Sequence, residues 1–121
     1  MKEIRIAVCT EGQIYENITN GIHLFEEEIN RVAETDVFLQ REELLYGMRK
    51  KKYDIIIVDF AGALGMEAVI GARDEDGRVS IIWISDEEFF ALQSYRMQTA
   101  MFLVKPVTAE QIKDALCRCT Q

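Results

Sequence analysis

The chain is short of the residues that staple, bend or span. Its 121 residues include one proline, one histidine, one tryptophan and three cysteines. With one proline and seven glycines there is no collagen-like repeat, Pro/Gly-rich linker or low-complexity segment. The cysteines, Cys9, Cys117 and Cys119, are odd in number and follow no secretion signal, so no disulfide framework is implied and all three read as reduced thiols. Cys117-Arg118-Cys119 lacks the second Cys/His pair of a structural zinc site. His23 has no partner cluster and reads as structural. No apolar run approaches the roughly 18 to 20 residues of a membrane span. The start, Met1-Lys2-Glu3-Ile4-Arg5, enters a strand without a signal peptide, so a cytoplasmic location is expected. Positive charge is scarce as well. Against 21 Asp and Glu stand 14 Lys and Arg, a formal charge of −7, which argues against this chain gripping a phosphate backbone. The one basic run, Arg49-Lys50-Lys51-Lys52, reads as charge at a helix C-terminus.

What is present suits one folded unit over residues 1–121: 49% hydrophobic and 29% charged residues, enough to bury a core. Apolar β-rich runs alternate with helical stretches. Ile4-Arg5-Ile6-Ala7-Val8-Cys9 is a strand, and the helical stretch that follows, to about Val32, carries Ile18, Ile22, Phe25 and Ile29 at helical spacing. Residues 35–39 make a second strand and residues 41–51 a second helix, with Leu44, Leu45 and Met48 on one face. Asp54-Ile55-Ile56-Ile57-Val58-Asp59 has four consecutive branched residues, which suggests a strand covered on both faces, as in a parallel sheet. A short helix over 66–73, a turn at Asp74-Glu75-Asp76-Gly77, a strand over 80–85, a helix over 87–98, a strand over 101–104 and a helix over 108–117 complete the chain. Thr108 reads as the last helix's N-cap, with Gln111 closing a capping box. Five strand-helix units imply an α/β domain with a doubly wound five-stranded parallel sheet, order 2-1-3-4-5 as in flavodoxin-like proteins, and helices on both faces.

Ligands of such sheets bind beyond the carboxyl ends of the strands. Those ends carry Thr10-Glu11, Asp59, Ser85 and Lys105-Pro106. Two carboxylates, a hydroxyl and an ammonium on one rim suit a hard cation and a phosphoryl group. Mg²⁺ takes a few carboxylates with water and phosphate oxygens. Lysine supplies a point charge, the hydroxyl a hydrogen bond, and Asp59 a carboxylate able to form an aspartyl-phosphate.

Taken together, Tyr53-Asp54-Ile55-Ile56-Ile57-Val58-Asp59, Ile81-Ile82-Trp83-Ile84-Ser85 and Phe102-Leu103-Val104-Lys105-Pro106 resemble the receiver domain of two-component response regulators across essentially the whole chain. Ile6-Ala7-Val8-Cys9, Tyr53-Asp54 and Lys105-Pro106-Val107 look most like receivers of the LytTR family of transcription regulators. The resemblance implies a signalling domain rather than an enzyme. Asp59 matches the phosphoacceptor, charged by a histidine kinase; Ser85 matches the hydroxyl that meets the phosphoryl group; Lys105 matches the lysine that pairs with it. Phe102 matches the aromatic switch position. Glu11 falls where the family has its metal-binding aspartate, and Ala61 where a backbone carbonyl completes the Mg²⁺ shell.

The chain also departs from that pattern. The family's acidic pair is Thr10-Glu11 here, the loop after Asp59 reads Phe60-Ala61-Gly62-Ala63-Leu64-Gly65-Met66 without the usual Met-Pro-Gly turn, and Gln98-Thr99 stands before the fifth strand where Gly-Ala is usual. Losing one carboxylate should weaken Mg²⁺ binding, so slow or absent phosphorylation is expected of this pattern. Two other readings stay open: a pseudo-receiver working as a phosphorylation-independent interaction module, and a phosphocysteine carrier using Cys9 in Cys9-Thr10-Glu11-Gly12. The apolar residues Phe89, Phe90, Tyr95, Met97 and Met101 exceed what one helix face buries. They point to a homodimer through the fourth helix, fifth strand and last helix.

Overall fold

The structure, a computed structural model, describes residues 3–121. Five strands run β1 Ile4–Thr10, β2 Ala33–Phe38, β3 Ile55–Asp59, β4 Ser80–Ser85 and β5 Met101–Val104. They form one sheet in the order β2-β1-β3-β4-β5, and every neighbouring pair is parallel. Five α-helices connect or follow them: α1 Tyr15–Ile29, α2 Arg41–Lys50, α3 Gly62–Glu75, α4 Ala91–Arg96 and α5 Ala109–Cys119.

Strand β3 shows why the sheet is doubly covered. All of its residues are buried. Ile55 and Ile57 point into a core shared with Ile18, Ile22 and Phe25 of α1 and Ile112, Ala115 and Leu116 of α5. Ile56 and Val58 point the other way, toward Leu44 of α2, Ala68, Val69 and Ala72 of α3, Trp83 and Phe90. A strand's alternation thus feeds two cores, and a continuous apolar run satisfies both. The register brings Thr10 beside Asp59 and Asp59 beside Ile84, so the ends of β1, β3 and β4 form one rim.

Several boundaries differ from the sequence expectation. Helix α3 starts at Gly62 rather than residue 66 and runs through Asp74 and Glu75, which were expected in a turn. No side chain of its own caps its start, and Gly62 has φ +59, a left-handed conformation that glycine adopts freely. The turn begins at Asp76, whose carboxylate accepts from Arg78 N–H at 2.8 Å. The single helix expected over 87–98 is instead a 3-10 turn, Glu88–Phe90, followed by the six-residue α4. Phe90 turns inward against Trp83, with ring centroids 5.5 Å apart, and that tertiary contact breaks the helical run. Arg73 then fixes where α4 ends. Its guanidinium donates to the carbonyls of Met97, Gln98, Asp76 and Val79.

The capping box is present: Thr108 Oγ1 accepts from Gln111 N–H at 3.1 Å, and Gln111 Oε1 accepts from Thr108 N–H at 2.8 Å. The basic run is absorbed by neighbours. Arg49 pairs with Glu75 at 2.7 Å, Lys51 with Glu34 and Asp36 at 2.7 and 3.0 Å, and Lys52 with Asp76 at 3.7 Å, while Lys50 lies over the Tyr46 ring. Among the described residues no helix is long and apolar enough to cross a membrane.

Candidate functional site

Asp59 ends β3 and is fully buried. Thr10, its register partner on β1, donates its hydroxyl to Asp59 Oδ2 at 2.7 Å and accepts from Gly12 N–H at 2.9 Å. Lys105, the residue after β5, brings Nζ to 2.9 Å from Asp59 Oδ1. That contact is an ion pair without hydrogen-bond alignment, so Oδ1 is a buried oxygen with no hydrogen bond. The lysine side chain is mostly buried too, which strengthens its attraction for the carboxylate relative to a solvated pair.

The other rim residues lie around this pair. Ser85 ends β4, is fully buried, and its Oγ accepts from Glu87 N–H at 3.1 Å, leaving the hydroxyl proton free to donate elsewhere. Its carbonyl accepts from Lys105 N–H at 2.9 Å, which ties the ends of β4 and β5 together. Glu11 is exposed; its backbone N–H donates to Asp59 O at 3.1 Å, and its carboxylate accepts from Ala61 N–H at 3.2 Å. Phe102 is half-buried on the opposite face of β5, edge-on to Trp83 with centroids 5.3 Å apart. The lysine thus touches Asp59, Glu11 reaches the loop beside it, Ser85 joins through the backbone, and Phe102 stands off against the aromatic core.

Two contributors were not legible in the sequence. Thr10 counted only as a missing carboxylate, yet it hydrogen-bonds Asp59. Asp86, after Ser85, accepts from Gly62 N–H at 3.3 Å. Adjacency in the sheet order was the available signal for both.

Mg²⁺ suits this donor chemistry. Asp59 Oδ1, buried without a hydrogen bond, and the Glu11 carboxylate are the hard oxygens such an ion takes alongside water. Among the described residues no group of three His, Cys, Asp or Glu converges to hold a metal, so the protein's own ligands are few. Cys9 does not compete as a nucleophile. It is fully buried, and burial together with Glu43 and Glu42 pushes its thiol up to about 12, far from a thiolate at neutral pH.

No protein-family model and no curated protein matches the chain. Solved structures do. The receiver domain of AraT, a response regulator from Geobacillus stearothermophilus, superposes with a TM-score of 0.78 at 20% identity, over 98% of this chain and 93% of that one. The fold is that of a receiver domain. The chemotaxis response regulator CheY4 of Vibrio cholerae gives 0.74 at 16% identity, over 98% and 99% of the two chains. A response regulator receiver domain protein from Clostridium thermocellum gives 0.76 at 17%, over 96% and 93%. At these identities the likeness is one of architecture, and its chemistry has to be argued from the rim.

Proposed function

We propose that the chain is the receiver module of a two-component response regulator, accepting a phosphoryl group on Asp59 from a histidine kinase and passing the change to an output such as transcription, in the manner of LytTR-family receivers. The observation that carries this reading is the Asp59–Lys105 ion pair at 2.9 Å on the sheet's carboxyl rim. An ammonium at that spot orients the carboxylate on the rim, where it can act as a nucleophile, and afterwards meets the charge of a bound phosphoryl group. In the transfer an Asp59 oxygen forms a bond to phosphorus as the bond from phosphorus to the donor's leaving atom breaks. The leaving group takes its proton from solvent, and no proton leaves Asp59. The Ser85 hydroxyl donates to a phosphoryl oxygen. Glu11, Asp59 and the Ala61 carbonyl would hold Mg²⁺, which when bound neutralises phosphoryl charge. The module turns over no substrate of its own, since it keeps the group it accepts.

The surface that reads the change lies on the side of α4, β5 and α5. Phe89 is 72% exposed and Tyr95 82%, with Leu92 exposed between them, an apolar patch suited to a second copy of the chain. Phe90 does not contribute, because it is buried against Trp83. Phosphorylation strengthens self-association to the extent that the dimer favours the phosphorylated form. Sedimentation of the parent and Tyr95→Asp, with and without phosphodonor, tests this: loss of dimer in Tyr95→Asp supports it, and a monomer throughout rejects it.

A second reading, the phosphorylation-independent module, is favoured by the Thr10–Asp59 hydrogen bond and by the complete burial of Asp59. Intact mass after incubation with Mg²⁺ and phosphoramidate separates the two. One added phosphoryl group, absent in Asp59→Asn, supports the acceptor reading. No added mass supports the module.

A further inference from the structure

Strand β3 lies between β1 and β4, so the loop leaving it at residues 60–62 is flanked by the loops that leave both neighbours. Each neighbour sends a carboxylate to it. Glu11, after β1, accepts from Ala61 N–H at 3.2 Å, and Asp86, after β4, accepts from Gly62 N–H at 3.3 Å. These two consecutive amides open α3, which has no side-chain cap of its own. A helix N-terminus presents unsatisfied N–H groups and favours negative charge, and here that need is met from two other strands rather than from the local sequence. Directly beneath the loop sits Asp59, fully buried although it is the last residue of its strand.

We propose that Glu11 and Asp86 form a two-sided clamp on the loop after Asp59, and that Asp86 is a positioning residue controlling how readily a phosphoryl donor reaches that carboxylate. The proposal rests on Asp59 being the acceptor for its consequence, though the clamp itself does not. Gly62 makes the loop easy to release. It has φ +59, and the space a Cβ would occupy there is open, so no neighbour packs against it on that side. Both carboxylates are exposed and their bonds are long, so each contributes modestly to holding the loop closed. The two arms differ in kind. Glu11 belongs to the candidate cation site, so its loss affects more than the loop, whereas Asp86 touches Gly62 alone among the groups named at this rim.

The test uses the full chain as parent, Asp86→Ala and Asp86→Asn. Alanine removes both the acceptor and the charge; asparagine keeps an acceptor for Gly62 N–H and removes only the charge. Two quantities are read: amide hydrogen exchange of peptides covering residues 60–64 without any donor, and the initial rate at which phosphoramidate with Mg²⁺ adds mass at Asp59. The clamp predicts that exchange and modification both rise in Asp86→Ala by about threefold to tenfold, the effect of one exposed hydrogen bond, while Asp86→Asn stays within about twofold of the parent. Unchanged exchange in Asp86→Ala overturns the clamp. Equal acceleration in both variants also overturns it, because simple charge repulsion of the donor would then suffice. If exchange rises selectively in Asp86→Ala but no form gains mass, the clamp stands and the acceptor reading of Asp59 falls.

Discussion

The two faces of the sheet are built differently. On one side α1 and α5 pack closely enough that a Cβ on Gly21 would stand 2.5 Å from Ile112, and the core between them and the sheet is aliphatic apart from Phe25. On the other side three helices share the cover. The last of these, α4, spans only six residues and follows a 3-10 turn without a side-chain cap; the turn leaves Phe89, and the helix Leu92 and Tyr95, largely exposed. Aromatic contacts run through this side from Phe89 to Phe90, Trp83 and Phe102. The difference teaches where change can be tolerated. A close-packed aliphatic face has one good arrangement, whereas a short helix resting on a few aromatic rings can be rearranged at small cost.

The sharpest break in this comparison is a matched pair of truncations. Phe25→Ala should lose about 3–5 kcal/mol in urea unfolding, and Phe89→Ala should stay within about 0.5 kcal/mol of the parent. Equal losses would mean that the two faces are equally committed. The rim comes next. Thr10→Val leaves Asp59 Oδ2 buried without its donor and should cost about 1–3 kcal/mol, largely restored in Thr10→Ser. On the α4 side, Arg73→Met removes a guanidinium shared by four carbonyls and should cost about 1–2 kcal/mol, with faster amide exchange over residues 97–100. Burial pulls that guanidinium's proton affinity below its usual value, and the negative charge of Asp76 opposes the shift.

The smallest effect is on pH dependence. The Tyr53 hydroxyl, and then the Lys51 ammonium, hold the Asp36 carboxyl below its usual range. A depressed folded-state pKa gives stability that is present above the unfolded value, near 4, and is lost as pH falls through the folded one. Asp36→Asn should therefore differ from the parent at neutral pH and converge with it on acidification in thermal melts. A gap that widens in acid would contradict the pairing.

The sheet order was legible because β3 is a run of branched residues that only double burial explains, and because Thr108 and Gln111 announce the last helix locally. The rim residues Asp59, Ser85 and Lys105 were legible as strand ends. What was hidden depends on register and on other strands. The start of α3 carries no local cap, since its N–H groups are met by Glu11 and Asp86. The division of the fourth helix follows from Phe90 reaching Trp83, and the end of α4 from Arg73, contacts that helical spacing does not encode. Thr10 read as a loss when taken beside Glu11. Its use appears only when β1 is laid against β3.

The central claim of the proposed function is that occupancy at Asp59 is read along α4, β5 and α5 while α1 stays fixed. Amide hydrogen exchange with and without beryllofluoride and Mg²⁺, a tetrahedral mimic of the phosphoryl group and its cation, tests it most directly when Asp59→Asn serves as the unoccupied control. The account predicts that exchange changes in peptides from residues 85–104 of the parent, stays constant across α1, and does not change in Asp59→Asn. Binding that depends on Asp59 yet alters α1 as much as residues 85–104 would contradict it, as would no change in the parent at all.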